Sequence, residues 1–175
     1  MIEMEKIKTA FERAAKTLRL KPALGRDTGK TKARIINGLT CEIEAGPWKF
    51  NSDMPEGAGG NNSAPTPGMY GRGALASCLA MGYMMQAAMM NVSIRSLEVE
   101  VQADYDDGVL FGTVTDKPAG YSEVRYIISV ETDATEETIH KLIDEANKRS
   151  PYLDIFSNAQ NCKQEVHIVS PQQGQ

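Results

Sequence analysis

Cys78 is the side chain in this sequence with the clearest capacity for chemistry. It lies within residues 65–91, PTPGMYGRGALASCLAMGYMMQAAMMN, where a proline-glycine opening leads into a long apolar run. A thiol acts as a nucleophile only as thiolate, and a helix N-terminus or a nearby guanidinium favours that form. The other cysteines, Cys41 and Cys162, bring the count to three, an odd number with no C-x-x-C pair and no metal-ligand spacing. Neither a disulfide framework nor a zinc site follows from that pattern. His140 and His167 are the two histidines, so no metal and no cofactor is expected.

Other nominal motifs carry less. Gly71-x-Gly73-x-x-Ala76 has dinucleotide-binding spacing, but a proline loop precedes it where that motif needs a strand. The segment from Asp104 to Gly108 starts like a calcium loop and lacks the later bidentate glutamate. Asn61-Asn62-Ser63 is a glycosylation sequon only in a secreted chain. Ser77 has no accompanying hydrolase motif.

The element that must position Cys78 is a helix. From Gly73 to Val92 only Ser77, Gln86 and Asn91 are polar, and Ala, Leu, Met and Gln favour helix. About five to six turns are expected. Because the run is apolar on nearly every side, it is expected to be buried nearly all round. Ala74, Cys78, Gly82 and Gln86 form a stripe that is small at its upper end, which lets another backbone approach and places Cys78 at a contact. Met81, Met84, Met85, Met89 and Met90 load the other faces. The run is long enough to raise a membrane span. Its Ala, Gly and Met content and its alternating flanks read instead as the core of a soluble domain.

The rest of the chain supplies partners for that helix. Met4, Ile7, Phe11, Ala14 and Leu18 make residues 3–20 an amphipathic helix, to be laid on a sheet or on a second subunit. Pro22, Gly25, Asp27 and Gly29 break the pattern. Asn37-Gly38 marks a hairpin, after which Leu39, Cys41, Ile43 and Ala45 share a face, so Cys41 reads as a buried strand residue. Trp48 starts a third strand ending near Asp53, and PEGAGGNNSAPTPG is a functional-looking loop. Alternation marks a strand over 97–105, an Asp107-Gly108 turn into a strand over 109–115, and a further strand through Val124, Tyr126, Ile128 and Val130. Asp133-x-x-Glu136 reads as a capping box for a helix carrying Ile139, Leu142, Ile143 and Ala146. Ser150-Pro151 opens a short helix through Asn158, and residues 164–169 read as a closing strand. The fold class is α+β, with residues 1–30 an N-terminal helix and linker and 31–170 the domain proper.

Charge and composition narrow the function. A formal charge of −4, with no basic block beyond the mixed segment 21–34, argues against nucleic acid as partner. The charged, amphipathic N-terminus has no apolar h-region, so a cytoplasmic protein is expected.

The order of elements, the G-G-N-x-x-x-P-x-P loop (Gly59, Gly60, Asn61, Pro65, Pro67), the ALASCLA helix and the Ser150-Pro151 step together resemble the OsmC/Ohr family, named for osmotically inducible protein C and the organic hydroperoxide resistance proteins. The likeness covers roughly residues 33–169. It implies an intertwined homodimer whose strands extend a shared sheet around two packed central helices. It also implies that Cys78 attacks an organic hydroperoxide, and that a second cysteine before the late-helix proline closes a disulfide reduced by an external dithiol. This chain departs from that pattern. Ser150 stands where the second cysteine belongs, and Gly68 follows Pro67 where the family's peroxidases carry glutamate. The activating arginine should come from the first hairpin, where Arg34 is the substitute, with Arg26 as the other choice. The expectation is a one-cysteine, thiol-dependent peroxide reductase served by Cys78, Ser150, Arg34 and an external thiol. The alternative is a redox-inactive dimer that binds a small apolar ligand or partner, and a third reading gives the N-terminal helix a role in assembly.

Overall fold

The computed structural model describes residues 4–169. Helix α1 (Met4–Leu20) leads through a 3-10 turn (Pro22–Gly25) to three strands, β1 (Thr31–Asn37), β2 (Thr40–Ala45) and β3 (Trp48–Ser52). The long α2 (Pro67–Met90) follows, then β4 (Ile94–Asp104), the short α3 (Asp107–Leu110), β5 (Glu123–Thr132), α4 (Glu136–Asn147) and α5 (Pro151–Ser157). One antiparallel sheet runs β1-β2-β3 and the other pairs β4 with β5. The α+β class stands.

Local chemistry sets the limits of α2. Thr66 caps it by accepting from the Met69 amide, and Pro67 supplies a preset φ at the first position, so the helix starts before Gly73. Asn91 ends it in the left-handed region at φ 54°, its amide closing on Ala87 and Ala88 carbonyls. Leu75, Leu79, Tyr83 and Ala87, four residues apart, are buried against Leu142 and Ala146 of α4. The inner faces of β4 (Leu97, Val99, Val101) and β5 (Val124, Tyr126, Ile128, Val130) pack on the same cluster. The Tyr83 hydroxyl donates to Asn147 Oδ1 at 2.9 Å, tying α2 to the end of α4. Burial pushes that phenol's ionisation above its ordinary value.

Only one side of α2 is covered in the single chain. Met81 and Met85 are 58% and 46% exposed, which corrects the expectation of burial all round. An apolar composition says that a surface must be covered, not that the same chain covers it. By length and composition alone α2 could also cross a bilayer. Its packing against β4 and α4 makes it the central helix of the core.

Further expectations are corrected. Residues 109–115 form no strand: Asp106 caps α3 by accepting from the Gly108 amide at 3.0 Å, and the Thr113 and Val114 amides fold back onto the Gly108 carbonyl. The cap of α4 is Thr135 rather than Asp133, its hydroxyl accepting from the Thr138 amide. Residues 164–169 have no regular structure and are exposed, because no strand edge of the same chain meets them. Cys41 is half-buried, not buried, with its Sγ 3.8 Å from the Glu42 carbonyl. Helix α1 lies on α2 instead of a sheet. Its inner stripe turns out to be Met4, Ile7, Lys8, Phe11 and Ala15, with Ala14 and Leu18 exposed.

The β1-β2-β3 sheet contributes almost nothing to this core. Every residue of β1 is exposed, and Ile35, Ile36, Trp48 and Phe50 lie open on the sheet. It is tied to α2 by the Tyr70 hydroxyl, which donates to the Asn51 carbonyl at 2.6 Å, and by the connecting loop. Asp53, almost fully buried, accepts from the Thr40 and Ser63 hydroxyls at 3.1 and 2.6 Å and from the Met54, Asn61 and Ser63 amides. The Ser63 hydroxyl bond, followed by the amides, holds the Asp53 carboxyl well below the usual carboxylate range.

Candidate active site

Cys78 sits about three turns into α2, too far from its N-terminus for the helix dipole to act strongly on the sulfur. The sulfur meets a residue from a different helix. Its Sγ is 3.6 Å from Ser150 Oγ, across 72 residues of sequence. Ser150 is buried at the start of α5, where its Oγ accepts from the Leu153 amide at 3.3 Å. With a lone pair so used, the hydroxyl hydrogen is free to point at sulfur.

Both residues line a cavity of about 580 Å³ formed by α1, α2 and the α4–α5 junction. The stripe read from the sequence, Ala74, Cys78, Gly82 and Gln86, forms one wall. Its members meet side chains of other helices rather than another backbone: Cys78 faces Ser150, and Gln86 accepts from Arg149. Met81 and Met85 extend the wall, and Phe11, Pro151 and Tyr152 stand opposite. The surface is mainly apolar, with Arg149 the one cationic side chain among its lining residues. Arg149 donates through Nη2 to Gln86 Oε1 at 3.0 Å and through Nε to the Glu145 carbonyl at 3.2 Å, which fixes the guanidinium between α4 and α2. Glu145 Oε2 lies 3.6 Å from the same Nη2.

Of the residues singled out from sequence, Cys78 and Ser150 are brought together and Arg34 is not. Arg34 is ion-paired with Glu42 at 2.6 Å across the β1-β2 hairpin and does not line the cavity. Arg26 is exposed after the 3-10 turn and does not line it either. Gly68 lies in the first turn of α2, its carbonyl accepting from the Tyr121 hydroxyl at 3.2 Å, also outside the cavity. The loop over 53–66 likewise does not border the sulfur in this chain; it anchors the start of α2. Sequence reading missed Arg149, whose only signal is its place just before Ser150-Pro151, and Phe11, read merely as part of an amphipathic stripe. Among the described residues no group of three or more His, Cys, Asp or Glu side chains could hold a metal ion.

Fold and site define an α+β protein in which one long central helix carries a cysteine onto an apolar cleft beside a serine. The chain belongs to the OsmC-like protein family, whose profile matches residues 60–165. Among solved structures it is similar to an OsmC-like protein from Mycoplasma pneumoniae, with TM-score 0.65 and 17% identity over 75% of this chain and 88% of that one. An organic hydroperoxide resistance protein OsmC from Legionella pneumophila gives TM-score 0.53 and 17% identity over 73% and 88% of the two chains. An organic hydroperoxide resistance protein from Elizabethkingia anophelis, solved with thiocyanate bound, gives TM-score 0.56 and 17% identity over 74% and 87%. At such identity the likeness is one of fold. No curated protein matches the chain.

Proposed function

We propose that this protein is a one-cysteine, thiol-dependent reductase of organic hydroperoxides that works as a homodimer, with residues 31–170 as its domain and 1–30 an appendage. The observation that carries the reading is the Cys78 sulfur on an open apolar cavity, 3.6 Å from a hydroxyl whose hydrogen is free. The Cys78 thiolate attacks the distal peroxide oxygen, the O–O bond breaks, and the alkoxide leaves as alcohol after taking a proton; sulfur becomes a sulfenic acid. A first external thiol condenses with it, releasing water and leaving a mixed disulfide. A second thiol displaces Cys78 and departs as the symmetrical disulfide, so two electrons from two thiols balance one peroxide. Ser150 cannot form a disulfide, which is why both resolving thiols are external.

In this reading Ser150 donates a hydrogen bond to the thiolate, and Arg149 supplies positive charge at the cavity. Arg34 enters only through assembly, if a second copy brings its hairpin to this cleft. Peroxide consumption in the presence of a monothiol or dithiol, compared between wild type and Cys78→Ser, tests the proposal. Turnover by the wild type alone supports it; equal, negligible consumption by both ends it.

The apolar lining also favours a second reading, a redox-inactive dimer that holds a small apolar ligand. A ligand retained in native mass spectrometry by both wild type and Cys78→Ser, with no peroxide turnover, selects it.

A further inference from the structure

We propose that Phe11 is the specificity-determining wall of the Cys78 cavity and limits the bulk of the apolar group that can reach the sulfur. The inference rests on the peroxide-reductase reading for its substrate class, an organic hydroperoxide with an apolar substituent, but not for its geometry. Phe11 is half-buried, projects from α1 and lines the cavity together with Cys78, Met81 and Met85. The methionines are flexible and adapt to different shapes, whereas the phenyl ring is a rigid plate on two rotatable bonds. Within one chain, width is therefore set from the Phe11 side.

This wall comes from α1, which precedes the family match at residues 60–165. Helix α1 has no fully buried residue and packs chiefly on α2 and the following 3-10 turn. One polar bond adds to that packing: Lys8 Nζ donates to Asn91 Oδ1 at 2.8 Å. Asn91 is the left-handed cap of α2, a fixed point on the helix that carries Cys78. Lys8 and Phe11 are three residues apart and share a helix face, so this bond ties the face that carries the ring to α2.

The test measures alkylation of Cys78 in the full chain by N-methylmaleimide and by N-(1-pyrenyl)maleimide. Mass mapping of the Cys78 peptide keeps Cys41 and Cys162 out of the reading. The bulky-to-small rate ratio should rise about tenfold in Phe11→Ala, the discrimination typical of a few methylene-sized changes in an apolar pocket, and fall in Phe11→Trp. An unchanged ratio in Phe11→Ala overturns the proposal. So does a rise in both variants, which signals a loosened α1, or a Cys78 that resists even the small reagent. The kcat/KM ratio for cumene over tert-butyl hydroperoxide should follow the same order. If labelling follows it while no variant consumes peroxide, the wall stands and the reductase reading fails.

Discussion

Cys78 Sγ and Ser150 Oγ face each other at 3.6 Å from two different helices, where α2 passes the start of α5. In the proposed reading the pair stands where the resemblance places the family's two cysteines, so the separation predicts the outcome of restoring the second sulfur. In Ser150→Cys, treatment with one equivalent of hydroperoxide should give an intramolecular disulfide to position 78, because the two side-chain termini already face each other at 3.6 Å. Non-reducing peptide mapping reads it directly. Persistence of two free thiols in an oxidised sample would show that the helices cannot bring the atoms together.

Arg149 lines the Cys78 cavity within its own chain and Arg34 does not. Stabilising a developing anion by one charge at roughly 1 to 2 kcal/mol corresponds to about five- to thirtyfold in rate. Arg149→Gln should slow Cys78 oxidation by about that factor, with Arg34→Gln much milder, when both are followed by stopped-flow thiol loss. A larger effect at Arg34 would mean that a partner's hairpin delivers the charge.

The loop motif is explained by sterics as much as by any chemistry. A Cβ built on Gly60 would lie 1.9 Å from the Met54 carbonyl oxygen, a backbone atom that cannot swing aside. Gly60→Ala should therefore destabilise by on the order of 2 kcal/mol or more, the range of overpacking in a fixed site. Chemical denaturation measures it. Gly57→Ala, with open space around its Cβ, is the control expected to stay near wild type.

Much of this architecture is legible in residues. Asn37-Gly38 marks the first hairpin because the chain needs a positive φ there, and Gly38 sits at 54°. The alternation along β4 and β5 and the Ser150-Pro151 cap declare themselves through local rules. What fails to show is whatever depends on a distant partner. Residues 109–115 have strand-like composition, yet Asp106 and Gly108 fold them back locally. Residues 164–169 alternate like a strand and find no edge in their own chain. The cap of α5 is readable, but its approach to Cys78 depends on how α5 crosses α2, which no local pattern encodes. Arg149 and Phe11 were hidden for the same reason.

Asp53 predicts an acid transition. Its carboxyl is held below the usual range, first by the Ser63 hydroxyl and then by the loop amides, so the folded state favours the ionised form. The contribution is fully present above the unfolded aspartate value of about 3.9 and is lost as pH falls through the lower folded value. Thermal melts should thus fall below about pH 4 in wild type. Asp53→Asn should start lower at neutral pH and decline less steeply in acid; parallel curves would remove Asp53 as the clamp.

Trp48 offers a reading of assembly, because it is the only tryptophan and is 72% exposed on a sheet with no cover in the single chain. The same sheet leaves Ile35, Ile36 and Phe50 open, while the outer face of α2 leaves Met81 and Met85 open. The proposed homodimer would cover these grouped apolar side chains. If a second copy covers the sheet, Trp48 emission should be that of a shielded indole at micromolar concentration and shift to the red on dilution. Sedimentation over the same range should pass from dimer to monomer. Ile35→Lys, which places a charge on the uncovered sheet, should move both transitions to higher concentration. A monomer throughout, with solvent-like Trp48 emission, would leave these faces uncovered and overturn the homodimer.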